Sequence, residues 1–245
     1  MIAPTFAAAP DARLLELWAA GREQRRVRRT ELLLEAAGLE PATDPSLGEV
    51  DRRLLALRER CFGPRVDLVV DCPACGQRLQ VGLDVGDLRT ERPVADLPNV
   101  ISADGDVRVL FRLPTLADLR AVEAAGSMEA ARRTLVQRCV IDARHGGARV
   151  DALSLSNEVV ARIGQAMAAA DRQADVRLGL RCPDCAHEWD PSFDIAAFLW
   201  MEIDARVRRL LVDVHTLARA YGWSESEILG LPPVRRQVYL ELALG

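Results

Sequence analysis

Two cysteine pairs carry the residue types and the spacing that could do chemistry in this sequence. Cys72 and Cys75 form the first pair, Cys182 and Cys185 form the second, and two residues separate the cysteines within each pair. This spacing lets both sulfurs of one turn point at a single ion, and four thiolates complete the tetrahedral coordination of a structural Zn²⁺. The sequence therefore predicts one structural zinc ion per chain, bound by these four cysteines.

The residues around each pair favour a tight turn. A proline follows the first cysteine of both pairs, and its ring fixes φ at about −65°. Gly76 follows the first pair and can adopt a left-handed backbone. Amide groups of the turn can then donate hydrogen bonds to the thiolates.

Disulfides and redox chemistry are the alternative uses of paired cysteines. Residues 1–10 lack a basic n-region and prolines interrupt their apolar run, so nothing there indicates secretion into an oxidising compartment. A thioredoxin-like pair stands at the start of a helix, whereas a β-like run follows each pair here. The pattern favours a closed metal site, which has no open coordination position for catalysis.

Short β-like runs flank both pairs and cover residues 66–70, 79–83, 176–180 and 187–189. A strand, a turn with two thiols and a second strand make half of a zinc ribbon, so the metal would clamp both ends of the segment 76–181. We predict an α+β fold, mainly helical, in which a split four-cysteine zinc ribbon of short antiparallel strands covers residues 65–86 and 176–193. The other predicted parts are an N-terminal helical region (1–64), an inserted hairpin-plus-helices domain (87–175) and a helical C-terminal region (194–245).

Apolar periodicity predicts helices outside the ribbon. Residues 11–38 are interpreted as one amphipathic helix, and a second helix covers residues 49–61. After the second cysteine pair, a long helix over residues 194–221 ends at Gly222. A capping box then starts a short helix at Ser224, and Pro233 lies in the first turn of the last helix.

The inserted segment has its own turn and cap signals. Asp104-Gly105 predicts a hairpin between two β-like runs. Thr115 and Ser127 are predicted helix caps, and the helix after Ser127 is expected to extend through Val140.

Composition argues against several function classes. Hydrophobic residues make up 49% of the chain and aromatic residues only 4%, so Leu, Val and Ala must form most of the core. The formal net charge of −4 gives no electrostatic reason to bind nucleic acid or an anionic membrane. No apolar run approaches the length of a membrane span. We therefore expect a protein that is soluble and cytoplasmic where it is made.

No arrangement of residues predicts an enzyme or a small-molecule substrate. The histidines are scattered, and nucleophile-elbow, phosphate-loop and zinc-protease motifs are missing. His187 follows Cys185 by two positions and could compete as a ligand, but four cysteines already complete a tetrahedron. His215 is interpreted as structural, and Cys61 and Cys139 are predicted to be buried small hydrophobic residues.

A zinc-ribbon nucleic-acid-binding module is the alternative function. Its candidate contact with phosphate is the arginine-rich segment 25–29, within the basic stretch 22–29. The nearby Glu23 and Glu31 favour a solvated helix face instead. The net acidity of the chain also argues against nucleic acid as a partner.

Three stretches of the chain together resemble a known family. The first leads from residues 52–58 through 62–64 into the first cysteine pair. The second leads from residues 174–176 through the second pair to Trp189 and residues 193–195 and 198–200. The third comprises residues 215–218, 221–223, 227–229, 235–236 and 239–240. Together they are similar to the zinc-ribbon-bearing baseplate proteins encoded with phage-tail-like contractile injection systems, which are distantly similar to the baseplate hub and hub-assembly-chaperone family of T-even phages.

This resemblance implies an interaction protein that sits in the baseplate or helps to assemble the hub and tail tube. Its partners would be baseplate, hub or tail-tube subunits of a contractile particle. The apolar C-terminal helix is expected to lay one face into a groove of such a partner. The candidate partner-binding residues are Tyr221, Trp223, Arg235, Arg236, Tyr239 and Leu240.

Overall fold

A computed structural model describes residues 11–38, 44–90, 99–103 and 106–245 of the chain. The fold is mainly helical with small antiparallel sheets, which confirms the predicted α+β class. The chain divides into two compact units. The cysteine unit lies within Pro41–Asp194, and the helical unit combines the described part of Met1–Glu40 with Ile195–Gly245. The four-part division predicted from the sequence stays a prediction.

The described helices and strands have the following bounds. The helices are α1 (Asp11–Gly21), α2 (Arg26–Ala36), α3 (Leu47–Phe62), α4 (Leu116–Glu123), α5 (Met128–Cys139), α6 (Asn157–Ala170), α7 (Ile195–Tyr221), α8 (Glu225–Leu229) and α9 (Pro233–Leu244). The strands are β1 (Arg65–Asp71), β2 (Arg78–Asp84), β3 (Asn99–Ala103), β4 (Val107–Phe111), β5 (Val140–His145), β6 (Ala148–Arg149), β7 (Leu180–Arg181) and β8 (Glu188–Trp189).

The first hairpin of the cysteine unit follows directly from a capped helix. Ser46 caps α3 by accepting a hydrogen bond from the Glu49 amide, and Gly63 ends the helix with a φ of 85°. Strands β1 and β2 then pair antiparallel along their whole length, seven residues in each strand. This long ladder carries the first cysteine turn at its end.

The inserted segment contains a sheet with the strand order β3-β4-β5-β6. The antiparallel pairing of β3 with β4 confirms the predicted hairpin, whose Asp104-Gly105 turn lies outside the described residues. The helix predicted to run through Val140 is one residue shorter, because α5 ends at Cys139. Val140 instead starts β5 opposite Phe111, a position that suits a β-branched side chain.

One helix covers the inner face of this sheet. Val109, Phe111 and Ala143 are buried on the strands and pack with Val159 and Ile163 of α6. Apolar side chains at alternate strand positions and at i and i+4 on the helix therefore build one common core. This core holds the insertion together without any metal.

The predicted caps of the insertion are confirmed. Thr115 and Asp118 form a capping box at the start of α4. The Ser127 hydroxyl accepts a hydrogen bond of 3.1 Å from the Ala130 amide at the start of α5. Both caps satisfy amides that a helix start leaves without an intrahelical partner.

Two buried polar side chains close the neck of the insertion, where the chain leaves the first hairpin and returns to the second cysteine pair. Gln173 donates from Nε2 to the Leu88 carbonyl and accepts at Oε1 from the Thr90 amide, both at 2.9 Å. Asp171 Oδ2 accepts from the Gly48 amide at 2.9 Å. These bonds position the segment before the second pair through protein groups alone.

The helical unit is built around α7. The residues that α7 buries are Ile195, Phe198, Leu199, Trp200, Ile203, Val207, Leu210 and Leu217. Trp18 of α1 donates from Nε1 to Asp204 Oδ1 of α7 at 2.7 Å. The Asp11 carboxylate pairs with Arg206 of α7 and with the buried Arg236 of α9. These polar contacts join α1 to α7 and α9.

Residues 11–38 form two helices, α1 and α2, so the prediction of a single helix is wrong. Gly21 ends α1 where a Cβ atom would lie 2.3 Å from Trp200 Cη2. Arg29 then reaches back and donates to the carbonyls of Gly21 at 3.0 Å and Arg22 at 2.7 Å. Together with the Gln24 amide, which donates to the Gly21 carbonyl at 3.0 Å, this side chain satisfies carbonyls that the end of α1 leaves without an intrahelical partner.

The predicted boundaries of the C-terminal helices are confirmed. Gly222 follows α7 with a φ of 71°, Ser224 and Glu227 form a capping box at α8, and Pro233 begins α9. Within the ranges that the structure describes, no helix is both long enough and apolar enough to cross a membrane.

Candidate metal centre

The structure brings the four cysteines of the two pairs into one cluster. Their Sγ atoms all lie within 4.8 Å of one another, with 3.7 Å between Cys72 and Cys185 and 3.6 Å between Cys75 and Cys182. A tetrahedral Zn²⁺ with Zn–S bonds of about 2.3 Å places its ligand sulfurs about 3.8 Å apart. A disulfide would need about 2.05 Å. The cluster therefore fits a four-thiolate metal site and not two disulfides.

The first cysteine turn, residues 72–77, is held by its own backbone. The Cys72 amide donates to the Gln77 carbonyl at 2.8 Å, and the Gly76 amide donates to the Cys72 carbonyl at 2.9 Å. Gly76 has a φ of 74°, which turns the chain so that the Gln77 carbonyl can accept from the Cys72 amide. Glycine adopts this conformation without a steric penalty.

The second cysteine turn, residues 182–187, repeats this pattern. The Cys182 amide donates to the His187 carbonyl at 2.9 Å, and the Ala186 amide donates to the Cys182 carbonyl at 3.0 Å. Ala186 has a φ of 58° and takes the place that Gly76 has in the first turn. Each turn thus presents two sulfurs in the same way.

Burial and hydrogen bonding give the two thiols of the first turn different pKa values. Burial raises the pKa of Cys72, but the amides of Cys75 and Ala74 donate to its sulfur and lower the pKa to about 7. The Gln77 amide lowers the pKa of Cys75, whereas the sulfurs of Cys185 and other cysteines raise it to about 12. Ionisation of one thiol thus makes ionisation of its neighbour less favourable, and a divalent cation bound between the sulfurs would remove this repulsion.

Exposure differs within each cysteine pair. Cys72 and Cys182 are only 2% and 1% exposed, whereas Cys75 and Cys185 are exposed. The site therefore lies at the surface, with an inner and an outer candidate ligand from each turn. A metal site needs at least three His, Cys, Asp or Glu side chains whose ligand atoms lie close together. Among the residues that the structure describes, only these four cysteines meet this condition.

The other candidate ligands lie in different surroundings. His187 stacks on Trp189 with ring centroids 6.0 Å apart, which gives this histidine a packing role beside the site. Cys139 is buried and its sulfur lies 3.8 Å from Asp118, and burial raises its pKa to about 11. Cys61 is half-buried.

A buried carboxylate in the insertion was not recognisable from the sequence. Asp118 is fully buried and binds Arg112 at 2.5 and 2.9 Å and Arg138 at 2.7 Å. Burial raises its pKa, but the hydrogen bonds from Arg112, Thr115 and Arg138 hold it well below its usual range. The spacing of Thr115 and Asp118 indicates only the cap, because the two arginines meet the carboxylate through the tertiary fold.

The basic stretch 22–29 makes intramolecular contacts. Arg22 lies over the ring of Trp18 and Arg29 over the ring of Trp200, at 4.9 and 5.0 Å from the ring centroids. Arg28 pairs with Glu31 and Glu35 on the same helix. These arginines stabilise the helical unit, which reduces the positive surface that nucleic acid would need.

The candidate partner-binding residues differ in their surroundings. Tyr221, Trp223 and Tyr239 form an aromatic cluster with ring centroids 4.6 to 5.7 Å apart. Arg236 is 3% exposed and pairs with Asp11, and Leu240 is 7% exposed and packs with Leu217 and Ile228. Trp223 and Tyr239 pack against the same core as Leu240. Arg236 and Leu240 are buried and hold the helical unit together, whereas Arg235 is exposed.

An exposed apolar stripe on α9 was not among the sequence-predicted residues. It consists of Val234, Val238 and Leu242, which are 78%, 49% and 68% exposed. Their spacing of four residues places them on one face of the helix. The sequence could not single out this face, because the opposite face of α9 is apolar as well.

The comparisons with known proteins concern mainly the cysteine unit. A search of curated proteins and a search of solved structures found no match. The model of a family described as T4 bacteriophage base plate protein matches residues 42–200. This match covers about two thirds of the chain and contains all four clustered cysteines. The chain therefore belongs to the T4 bacteriophage base plate protein family.

Proposed function

We propose that this protein is a non-enzymatic structural or assembly component of the baseplate and hub of a contractile, phage-tail-like injection particle. The observation that carries the proposal is the family match over residues 42–200, which supports a structural or assembly role in a phage baseplate. A chaperone-like role in assembling the hub is the finer part of the proposal. The protein would act through contacts with baseplate, hub or tail-tube subunits.

The four-cysteine cluster would bind one structural Zn²⁺ and pin the cysteine unit. Sulfur separations of 3.6 and 3.7 Å between the two turns support this assignment. Amide donors to the sulfurs of Cys72, Cys75 and Cys185 support it as well. Four thiolates are the donor set that suits tetrahedral zinc. The ion would supply a cross-link between segments that lie far apart in the chain.

The surface proposed to meet a partner is on the helical unit. It combines the apolar stripe of Val234, Val238 and Leu242 with the exposed Arg235 and the aromatic cluster. Tyrosine, tryptophan and arginine are enriched where binding energy concentrates at protein interfaces. An apolar helix face of this length can lie in a groove of another subunit.

Native mass spectrometry of the tagged protein, purified gently from its own host, tests the proposal. We expect the mass of one zinc ion per chain and attached baseplate, hub or tube subunits. Val238→Glu should release these subunits and keep the zinc, because it puts a charge in the apolar stripe. Met128→Glu is the matched control, since Met128 is an exposed hydrophobic residue of the cysteine unit. A folded chain without zinc, or one that binds no baseplate subunit, would contradict the corresponding part of the proposal.

A further inference from the structure

The two cysteine turns differ in backbone strain at one equivalent position. Gly76 in the first turn and Ala186 in the second both have a positive φ, of 74° and 58°. In the described residues, Ala186 is the non-glycine residue with a positive φ. An L side chain is crowded against the following carbonyl in this region, so the second turn holds its metal-binding shape against a steric penalty that the first turn avoids.

The two turns also differ in how firmly their strands hold them. Pairing of β1 with β2 extends over seven residues of each strand, whereas β7 and β8 pair over two residues each. Below this short ladder are the Arg177–Ser192 bridge and a hydrogen bond of 3.0 Å from the Leu178 amide to the Pro191 carbonyl. Fewer hydrogen bonds must therefore break to open the second turn.

The base of the second hairpin is fixed more firmly than its tip. Ser192 donates to Asp175 Oδ1 at 2.7 Å, and Arg177 donates to Asp175 Oδ2 at 3.0 Å. The Phe193 amide donates to the Val176 carbonyl at 2.7 Å, and Gln173 is bound at the neck of the insertion. The tip can open above this base while the insertion and the first hairpin stay in place.

We propose that the second cysteine turn is the gate of the metal centre. The first turn, with Cys72 and Cys75, keeps its shape when the metal is absent and forms the fixed half of the site. Metal enters and leaves when residues 178–190 open and carry Cys182 and Cys185 away. This inference rests on the zinc clamp proposed above and adds which half of the clamp moves.

The exposed Cys185 gives the opening an order. A chelator or solvent reaches the outer sulfur before the inner Cys182, which is buried. Loss of the Cys185 ligand frees the turn to leave its left-handed conformation at Ala186, and the short ladder then opens. Cys75 is exposed as well, but the long ladder of the first hairpin holds its turn in place, so the first turn has no comparable route to opening.

Zinc release from the full-length protein to an excess of a chromophoric chelator tests the gate. Ala186→Gly removes the steric penalty in the closed turn, so release should slow by roughly two- to five-fold. Ala186→Ser keeps a Cβ atom and serves as the control with an unchanged rate. Hydrogen exchange measured during release should rise first at the amides of residues 178–190 and later, or not at all, in β1 and β2.

The possible results separate this inference from the metal assignment. A protein that binds no zinc overturns the clamp itself. A protein that binds zinc, but releases it at the same rate in Ala186→Gly as in the parent, overturns the gate alone. Exchange that rises equally in both hairpins also overturns the gate, because both halves would then open together.

Discussion

The two units of the molecule join distant parts of the chain by different means. In the cysteine unit, sulfurs that are 107 and 113 positions apart in the sequence come within 3.7 Å. In the helical unit, Trp18 hydrogen bonds to Asp204, 186 positions away, and Asp11 pairs with Arg236. One unit uses ligands of a single candidate ion, whereas the other uses separate contacts between side chains.

This difference explains what each unit reveals in its sequence. A set of metal ligands has typical spacing and one kind of chemistry. Two cysteine pairs in a sequence therefore predict that their four sulfurs lie together in the fold. A tryptophan and an aspartate that meet through the tertiary fold have no such spacing. The units should therefore respond to different perturbations, and the following experiments separate them.

Loss of one candidate metal ligand should have the largest effect. Cys182→Ser removes an inner sulfur, so the protein should lose the zinc ion proposed for the cluster and about 4 kcal/mol or more of unfolding free energy in the cysteine unit. Hydrogen exchange monitored by mass spectrometry should rise in residues 65–84 and 176–193. Protection of α7 should stay close to that of the parent protein.

Cys61→Ser is the control for this prediction, because Cys61 is a half-buried cysteine outside the cluster. It should keep one zinc per chain. If Cys182→Ser weakened α7 as much as the cysteine turns, the two units would not be fastened separately.

Truncation of Trp200 should destabilise the helical unit and leave the cysteine unit unchanged. Trp200 is buried, lies against Gly21 and stacks under the Arg29 guanidinium. Trp200→Ala should cost the helical unit about 3–5 kcal/mol, because the cavity cannot be filled by the rigid ends of two helices. Zinc content, measured by atomic emission, should stay at the parent value.

The neighbouring Met201 supplies the matched control, since its side chain is exposed on the same helix. Met201→Ala should change the unfolding free energy by about 0.5 kcal/mol or less. Equal losses from the two alanine variants would show that burial against Gly21 does not determine the stability of this unit.

A substitution at the neck of the insertion should have an intermediate effect within the cysteine unit. Gln173→Ala leaves the Leu88 carbonyl and the Thr90 amide without their partner, which should cost about 1–3 kcal/mol. Because these bonds do not involve the sulfurs, the loss should be similar with zinc and with a chelator. Urea unfolding under both conditions measures it.

The exposed Gln165 provides a comparison for the loss of a glutamine side chain. Gln165→Ala should be nearly neutral. A Gln173→Ala effect that appeared only after zinc removal would mean that bound zinc holds the neck whether or not Gln173 is present.

The predictable parts of the molecule are those with local signals. The cysteine turns, the Thr115 and Ser127 caps and the Gly222 stop each depend on residues within a few positions of one another. The break between α1 and α2 was missed because it depends on Trp200, which approaches Gly21 only in the folded chain. The residues next to Gly21 in the sequence cannot indicate a contact with Trp200.

The buried polar contacts were missed for the same reason. Gln173 finds its partners about 85 positions earlier in the chain, and Asp118 meets Arg138 from the next helix. On α9, both faces are apolar, so periodicity could not decide that Leu240 packs inside while Val238 is exposed. The residues that hold the helical unit and those that could meet a partner were therefore predicted as one set.

The smallest effect is expected at the Trp18–Asp204 hydrogen bond. Arg208 and Trp18 both donate to the Asp204 carboxylate and lower its pKa. Asp204→Asn keeps an acceptor for Trp18 but removes the charge that Arg208 binds. Because Asp204 is partly exposed, the loss should stay below about 1 kcal/mol near neutral pH.

The pH dependence identifies the charge as the cause. A carboxylate with a lowered pKa in the folded state contributes its stability above its unfolded pKa of about 3.9, and this contribution is lost as the pH falls through the folded value. The difference between parent and Asp204→Asn should therefore be constant near neutral pH and disappear in acid. Urea unfolding of both proteins with zinc removed measures this difference without interference from acid release of the metal. A difference that persisted in acid would assign the effect to the shape of the side chain, and the polar contact of α1 with α7 would then depend on packing in place of charge.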